Sequence, residues 1–189
     1  MILALDIATV TGWALGSLDC EPEAGRFRLP KTGDDIGRFV NAYRDWLVEM
    51  IDRHSPSRVV YESPLTTPGP QTNMMTLRKL GGLTVMTESV AVDMAVECKE
   101  ANLSTIRKHF VGRGRAPKDV KDGRKWFKAA VMDRCQVKGW HPADDNEADA
   151  LALLDFSLWC LDTGHPSHQP CPKPEKAPQP APLFEGAAA

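Results

Sequence analysis

The chain has 189 residues, 42% of them hydrophobic and 25% charged, with a formal net charge of −2. That length suits one domain with room for a real core, and the ordinary composition excludes a fibrous or wholly disordered chain. The near-neutral balance gives no global pull toward a polyanion, so any phosphate-binding function needs a local basic face.

The opening stretch, MILALDIATVTGWALGS, organises the rest. Ile2-Leu3-Ala4-Leu5 reads as a buried strand ending at a lone carboxylate, Asp6. Thr9, Thr11 and Gly12 signal a turn, and Trp13-Ala14-Leu15 begins a second strand. Asp6 alone would also suit a turn cap; two later acids shift that balance. Ala24 to Leu29 alternates and stops at Pro30, as a third antiparallel strand would. Asp34 and Asp35 mark a helix start, and Ile36, Phe39, Val40, Tyr43, Leu47, Met50 and Ile51 recur at helical spacing up to His54-Ser55-Pro56.

Arg58-Val59-Val60-Tyr61-Glu62 is a short buried strand, again with a carboxylate at its carboxyl end, closed by Ser63-Pro64. A Pro/Gly/Thr loop follows to Pro70, then a helix over Met74 to Met86 crossed by Gly81-Gly82. Met94 to Cys98 reads as the fifth strand. The basic stretch Arg107 to Lys118 leads into a helix around Val120 to Arg134, with Trp126, Phe127, Ala130 and Val131 on one side. Asp144 to Trp159 is a last helix with Leu151, Leu154 and Leu158 at core spacing, and Trp13, Trp126 and Trp159 are expected in the core. From Gly164 the chain is Pro- and Ala-rich with little to bury, so residues 1–163 are expected to form the domain and 164–189 a disordered tail. The order implies an α/β fold: a mixed five-stranded sheet, three antiparallel strands then parallel ones, with helices on both faces.

Five cysteines, Cys20, Cys98, Cys135, Cys160 and Cys171, include no CxxC pair, which argues against a disulfide framework or a zinc ribbon. Asp6 interrupts the apolar start too early for a signal peptide, and no run approaches the ~18 apolar residues of a membrane span. A cytoplasmic protein with no membrane partner is expected.

Asp6 and Glu62 end strands that a crossover helix can place side by side, and Asp145 and Asp149 share a face of the last helix. Clustered carboxylates repel unless a cation is present, and oxygen donors without a His/Cys set suit Mg²⁺ or Mn²⁺. Two such ions roughly 4 Å apart activate a water and stabilise the leaving oxygen of a phosphodiester. No Ser-His-Asp arrangement and no P-loop competes. Arg107, Lys108, Arg113, Arg115 and Lys118 would contact nucleic-acid phosphates, or form a solvated basic loop. His141, before Pro142, reads as an ordinary loop histidine with metal or water contact as the alternative.

Asp6 with Thr11-Gly12-Trp13-Ala14, Tyr61-Glu62, Val111-Gly112-x-Gly114-x-Ala116-x-Lys118 and Glu147-Ala148-Asp149-Ala150-Leu151-Ala152 resemble, in order, RuvC-type Holliday junction resolvases. The resemblance implies an RNase H-like fold and a homodimer that nicks four-way DNA junctions with two Mg²⁺ ions per site, leaving 5′-phosphate and 3′-hydroxyl ends. It carries metal ligation over to Asp6, Glu62 and Asp149, and a charge-stabilising role to Lys118. The family's second ligand on the last helix falls at Asn146 here, so Asp145, one residue earlier, is the expected fourth ligand, with Asn146 a weak one. The family's aromatic base-stacking residue has no match, since Pro64-Leu65-Thr66 stand there, and a phage-type relative fits this divergence. The helix over Met74 to Met86 suits the dimer contact.

Three other functions compete. A related RNase H-like nuclease would cut flap or branched DNA, or RNA–DNA hybrid, with the same metals. An actin-like sugar kinase or ATPase would need a second lobe and phosphate loops that this length does not offer. A catalytically dead DNA-binding module would lack the acids.

Overall fold

The first strand, β1 (Ile2–Asp6), faces apolar neighbours on both sides: Leu3 and Leu5 enter one core cluster, Ile2 and Ala4 the other. Two-sided burial is what a central strand requires, and it explains why these residues form a continuous apolar run. In this computed structural model, which describes residues 1–63 and 73–163, β2 (Val10–Ser17) pairs antiparallel with β1. Outside it lies β3 (Cys20–Arg28), antiparallel and at the edge. On the other side β4 (Arg58–Glu62) runs parallel to β1, and β5 (Glu97–Ala101) parallel to β4. The sheet order is β3-β2-β1-β4-β5, the mixed five-stranded sheet expected from the sequence.

One face is covered by α1 (Ile36–His54) and α2 (Met74–Asp93), the other by α3 (Leu103–Val111), α4 (Gly123–Val137) and α5 (Asp145–Thr163). The Asp35 carboxylate accepts the Arg38 N–H at 2.8 Å to start α1, and Ser55 in the left-handed region (φ 45°) ends it. The Tyr43 hydroxyl meets that of Thr87 at 2.9 Å between α1 and α2, so this buried polar pair satisfies itself. Unlike those amphipathic helices, α5 is buried nearly all round, from Ala148 and Ala150 to Leu154, Phe156 and Cys160. It lies between the sheet and the α3–α4 pair, which is why apolar residues occupy more of it than one stripe.

Several elements differ from the sequence reading. The fifth strand begins at Glu97, not Met94: α2 continues to Asp93, Met94 N–H bonds the Val90 carbonyl at 2.9 Å, and Ala95 turns with φ 56°. Met94 and Val96 look like strand residues because they pack on the α1–α2 core. The first half of the basic stretch is helical: Asn102 caps α3, and Gly112 (φ 79°) ends it in the left-handed conformation. Trp159 stands 36% exposed on the outer side of α5, and Trp126 is half-buried against Phe127; only Trp13 packs on the core as expected. The Pro64-Leu65-Thr66 stretch, Cys171 and the tail expected over 164–189 lie outside the described residues. Among the described residues no helix is long and apolar enough to cross a membrane.

At Gly12, β2 meets the first turn of α5 so closely that a Cβ would lie 2.0 Å from the backbone oxygen of Asn146. A main-chain atom cannot rotate away, so a methyl there must push the start of α5 off the sheet. Gly12→Ala is expected to cost about 1–3 kcal/mol in urea denaturation. Unchanged stability would contradict this close approach.

Candidate active site

Strand parity places the carboxylates. Asp6 has the parity of Ile2 and Ala4, and Glu62 that of Val60, so both point to the face that α5 covers. The register sets Leu5 beside Tyr61, which leaves Asp6 and Glu62 side by side one residue further on. The Thr11 hydroxyl, bonded to the Ala8 carbonyl at 2.9 Å, closes the turn beyond Asp6. Asp149, one turn into α5, completes the group from above.

The three acids act on one another. Burial pushes the Asp6 carboxyl up to about 8, helped by the charges of Asp149, Glu62 and Asp144 and opposed by Lys128. Burial and Asp149 push Glu62 up to about 7 against Arg107. Burial also raises Asp149, with Arg107, Lys128 and Arg124 opposing it. These groups titrate as a coupled set.

Three cations answer them, and a fourth pairs with the neighbouring Asp144. Arg107 lies on α3 with its guanidinium 4.3 Å from the Phe127 ring centroid, and its buried Nε has no hydrogen-bond partner among the described residues. Lys128, on α4, pairs with Asp145. Arg124 lies one turn earlier on α4. Arg26, from β3, pairs with Asp144. Only Arg107 was marked by the sequence reading. The spacing of Arg124 and Lys128, four residues apart on a helix beside the acidic one, is the signal that could have found the other two on α4.

Asp144 is a cap as well as an acid. Its Oδ1 accepts the N–H groups of Asn146 and Glu147, both at 3.1 Å, while the Glu147 carboxylate takes the Ala143 N–H at 2.8 Å. Partial burial would raise its carboxyl, but these bonds and Arg26 outweigh that and hold it below the usual range. Of the four expected ligands, Asp6, Glu62 and Asp149 are thus brought together, while Asp145 is engaged by Lys128. Asn146 contributes its main chain to the Gly12 contact and donates its side-chain amide to Asp144 at 3.4 Å.

Lys108, Arg113, Arg115 and Lys118 are exposed, the first on α3 and the others in the loop before α4. His141 is also exposed, beside a shallow cleft with Trp140 and Glu147. The donor set has the all-oxygen chemistry of a Mg²⁺ or Mn²⁺ site. Its present spacing does not: among the described residues no three His, Cys, Asp or Glu side chains are gathered closely enough to hold one ion.

No protein-family model matches the chain, and no curated protein matches it in sequence. Solved structures do match. Thermus thermophilus RuvC superposes with a TM-score of 0.63 at 16% identity, over 86% of this chain and 96% of that one. T. thermophilus RuvC in complex with Holliday junction substrate gives 0.61 at 15%, over 86% and 95%. The yeast mitochondrial Holliday junction resolvase gives 0.53 at 9%, over 80% and 75%. The chain has the RuvC fold, of the RNase H-like class.

The raised acids carry a pH signature. Because the folded chain binds protons at Asp6 more tightly than the unfolded chain, it holds the extra proton between roughly pH 4 and 8, and stability falls as pH rises through that window. In chelator at pH 8, Asp6→Asn is expected to melt about 3–8 °C above the parent, from ~1–2 kcal/mol after screening by nearby cations. At pH 4 the two should coincide. A variant that melts lower at pH 8 would refute the crowding of these carboxylates.

Proposed function

We propose that this chain is a metal-dependent endonuclease that resolves four-way DNA junctions by hydrolysing paired phosphodiesters, with water as the nucleophile. The observation that carries this reading is that Asp6, Glu62 and Asp149, from two strand ends and one helix on the same side of the sheet, act on one another electrostatically in a fold shared with RuvC. Carboxylates that raise one another's proton affinity in a desolvated place are stabilised in their charged forms by a cation. A Mg²⁺ or Mn²⁺ pair, when bound, would supply the charge that a phosphodiester under attack requires.

The chain's own residues do the rest. Asp6 and Glu62 are oriented by strand backbone and Asp149 by a buried helix, so all three are held on rigid elements. Arg107 is held on the Phe127 ring, with its Nε proton unpartnered among the described residues, and its charge acts on Glu62 and Asp149, which suits the guanidinium to a phosphate oxygen there. Lys108, Arg113, Arg115 and Lys118 extend the positive surface toward flanking backbone, with Lys118 at the family's lysine position. Support for branched DNA as the substrate comes from the T. thermophilus RuvC structure that is in complex with a Holliday junction.

The test is cleavage of a labelled synthetic junction beside duplex, flap and RNA–DNA hybrid, with Mg²⁺ or chelator. Paired nicks on the junction alone, in Mg²⁺ alone, are expected. Asp6→Asn should lower the cutting rate at least about 100-fold while the variant still binds the junction. Cutting by Asp6→Asn at the parent rate would remove the acid centre from the mechanism.

The same reading includes a homodimer. On α2 the apolar residues Met74, Val85 and Val92 are 71%, 65% and 69% exposed, and they share one stripe with Gly81, whose missing Cβ leaves open space. The opposite side of α2 is already buried through Leu83, Thr87 and Val90. Sedimentation should therefore give a dimer for the parent chain and a monomer for Val85→Glu; a dimer unaffected by that charge would place the contact elsewhere.

A further inference from the structure

The β2–β3 hairpin and the last turns of α5 border a cleft of about 480 Å³ that the nuclease reading leaves unused. Leu18 lines it from the hairpin, Trp140 from the turn after α4, and Trp159 from α5. Both tryptophans are braced from behind. Trp140 stacks on Phe110 with ring centroids 6.2 Å apart, and Trp159 lies 4.9 Å from the His109 ring. Leu18 and Trp159 are exposed, so apolar surface faces water here. Within the cleft the Asp155 carboxylate is answered by Lys138 at 2.6 Å and His109 at 2.9 Å. Glu21 and Asp162 also line it, are exposed, and form no ion pair among the described residues.

We infer that this cleft is the docking site of the chain's own proline-rich carboxy-terminal segment, centred on Pro170-Cys171-Pro172-Lys173-Pro174. The inference does not rest on the nuclease reading.

Chemistry, length, position and charge select this occupant. Prolines stand at 166, 170, 172, 174, 178, 180 and 182. Proline rings pack on tryptophan faces, and a φ already fixed near about −65° reduces the entropy lost on docking. The cleft follows α5 from Leu154 to Asp162, eight residues of helix or about 12 Å. A proline-rich strand advances about 3.1 Å per residue, so the five central residues span about 15 Å, enough to follow that length. The helix ends at Thr163, one residue past Asp162, so the segment departs beside the cleft. Residues 164–169 then give it room to turn back, and so short a tether holds it at about millimolar concentration there. Lys173 and Lys176, against Glu175, complement Glu21 and Asp162. A nucleic-acid strand, with negative charge at every phosphate, does not.

The experiment follows the indole N–H signals of Trp140 and Trp159 by heteronuclear NMR in the full chain, assigned through Trp140→Phe and Trp159→Phe. The parent is compared with Pro170→Ser/Pro172→Ser/Pro174→Ser, which keeps the length, the charge and every residue of the domain. Both signals are expected to shift between the two chains, while those of Trp13 and Trp46, which pack on the other face of the sheet, coincide. A peptide of residues 164–182 added to the triple variant should move both signals toward the parent positions, and the same peptide with serine in place of its prolines should not. Coincident signals in parent and triple variant overturn the inference. If they coincide yet the peptide moves the signals of both chains, the cleft serves a proline-rich segment of another protein, and the inference is overturned as well. A shift that grows with protein concentration also overturns it, because the occupant is then the segment of a second copy.

Discussion

Like charge gathered in a partly desolvated place is the constraint around which the rest of this molecule is arranged. Asp6 and Glu62 are fixed side by side by strand parity and register, and α5 brings Asp149 onto them. Repulsion and lost hydration both favour the protonated forms there. The surrounding elements offset that cost with charge of the opposite sign, drawn from two helices: α3 supplies Arg107, and α4 supplies Arg124 and Lys128. The compensation is partial, since the Asp6 and Glu62 carboxyls remain well above their ordinary range.

The position of α5 follows from two contacts at its first turn. Gly12 lets the sheet come up against the Asn146 main chain, where any side chain would intervene. Asp144 caps the helix and is tied across to Arg26. Apolar burial along the remaining length then holds the helix down. The placement of Asp149 and the packing of the core are therefore properties of the same helix, and a change that loosens one moves the other.

The strands were the most legible part of the chain, because a central parallel strand must be apolar on both faces and β1 and β4 show unbroken runs. The edge strand β5 was not: Glu97, Lys99 and Glu100 carry no strand pattern, while Met94 and Val96 do so for an unrelated reason, their packing on the α1–α2 core. In the same way Trp159 has an apolar neighbourhood in sequence yet faces outward, against the His109 ring at 4.9 Å. The helix α3 was hidden by its charge, since Arg107, Lys108 and the following glycines read as a loop.

Sequence alone determined that Asp6 and Glu62 end buried strands and that an acid-bearing helix follows them. Those facts follow from local apolar period and from residues within a few positions of one another. Only the tertiary structure decided which acids meet and which cations face them. Asp145 and Asp149 share a helix face, but Lys128, arriving from α4, engages the first and leaves the second with Asp6. Arg26 reaches Asp144 across 118 residues of chain. The physical reason is range: backbone pattern is set by neighbours in sequence, whereas electrostatic partnership is set by distance in space, which nothing local encodes.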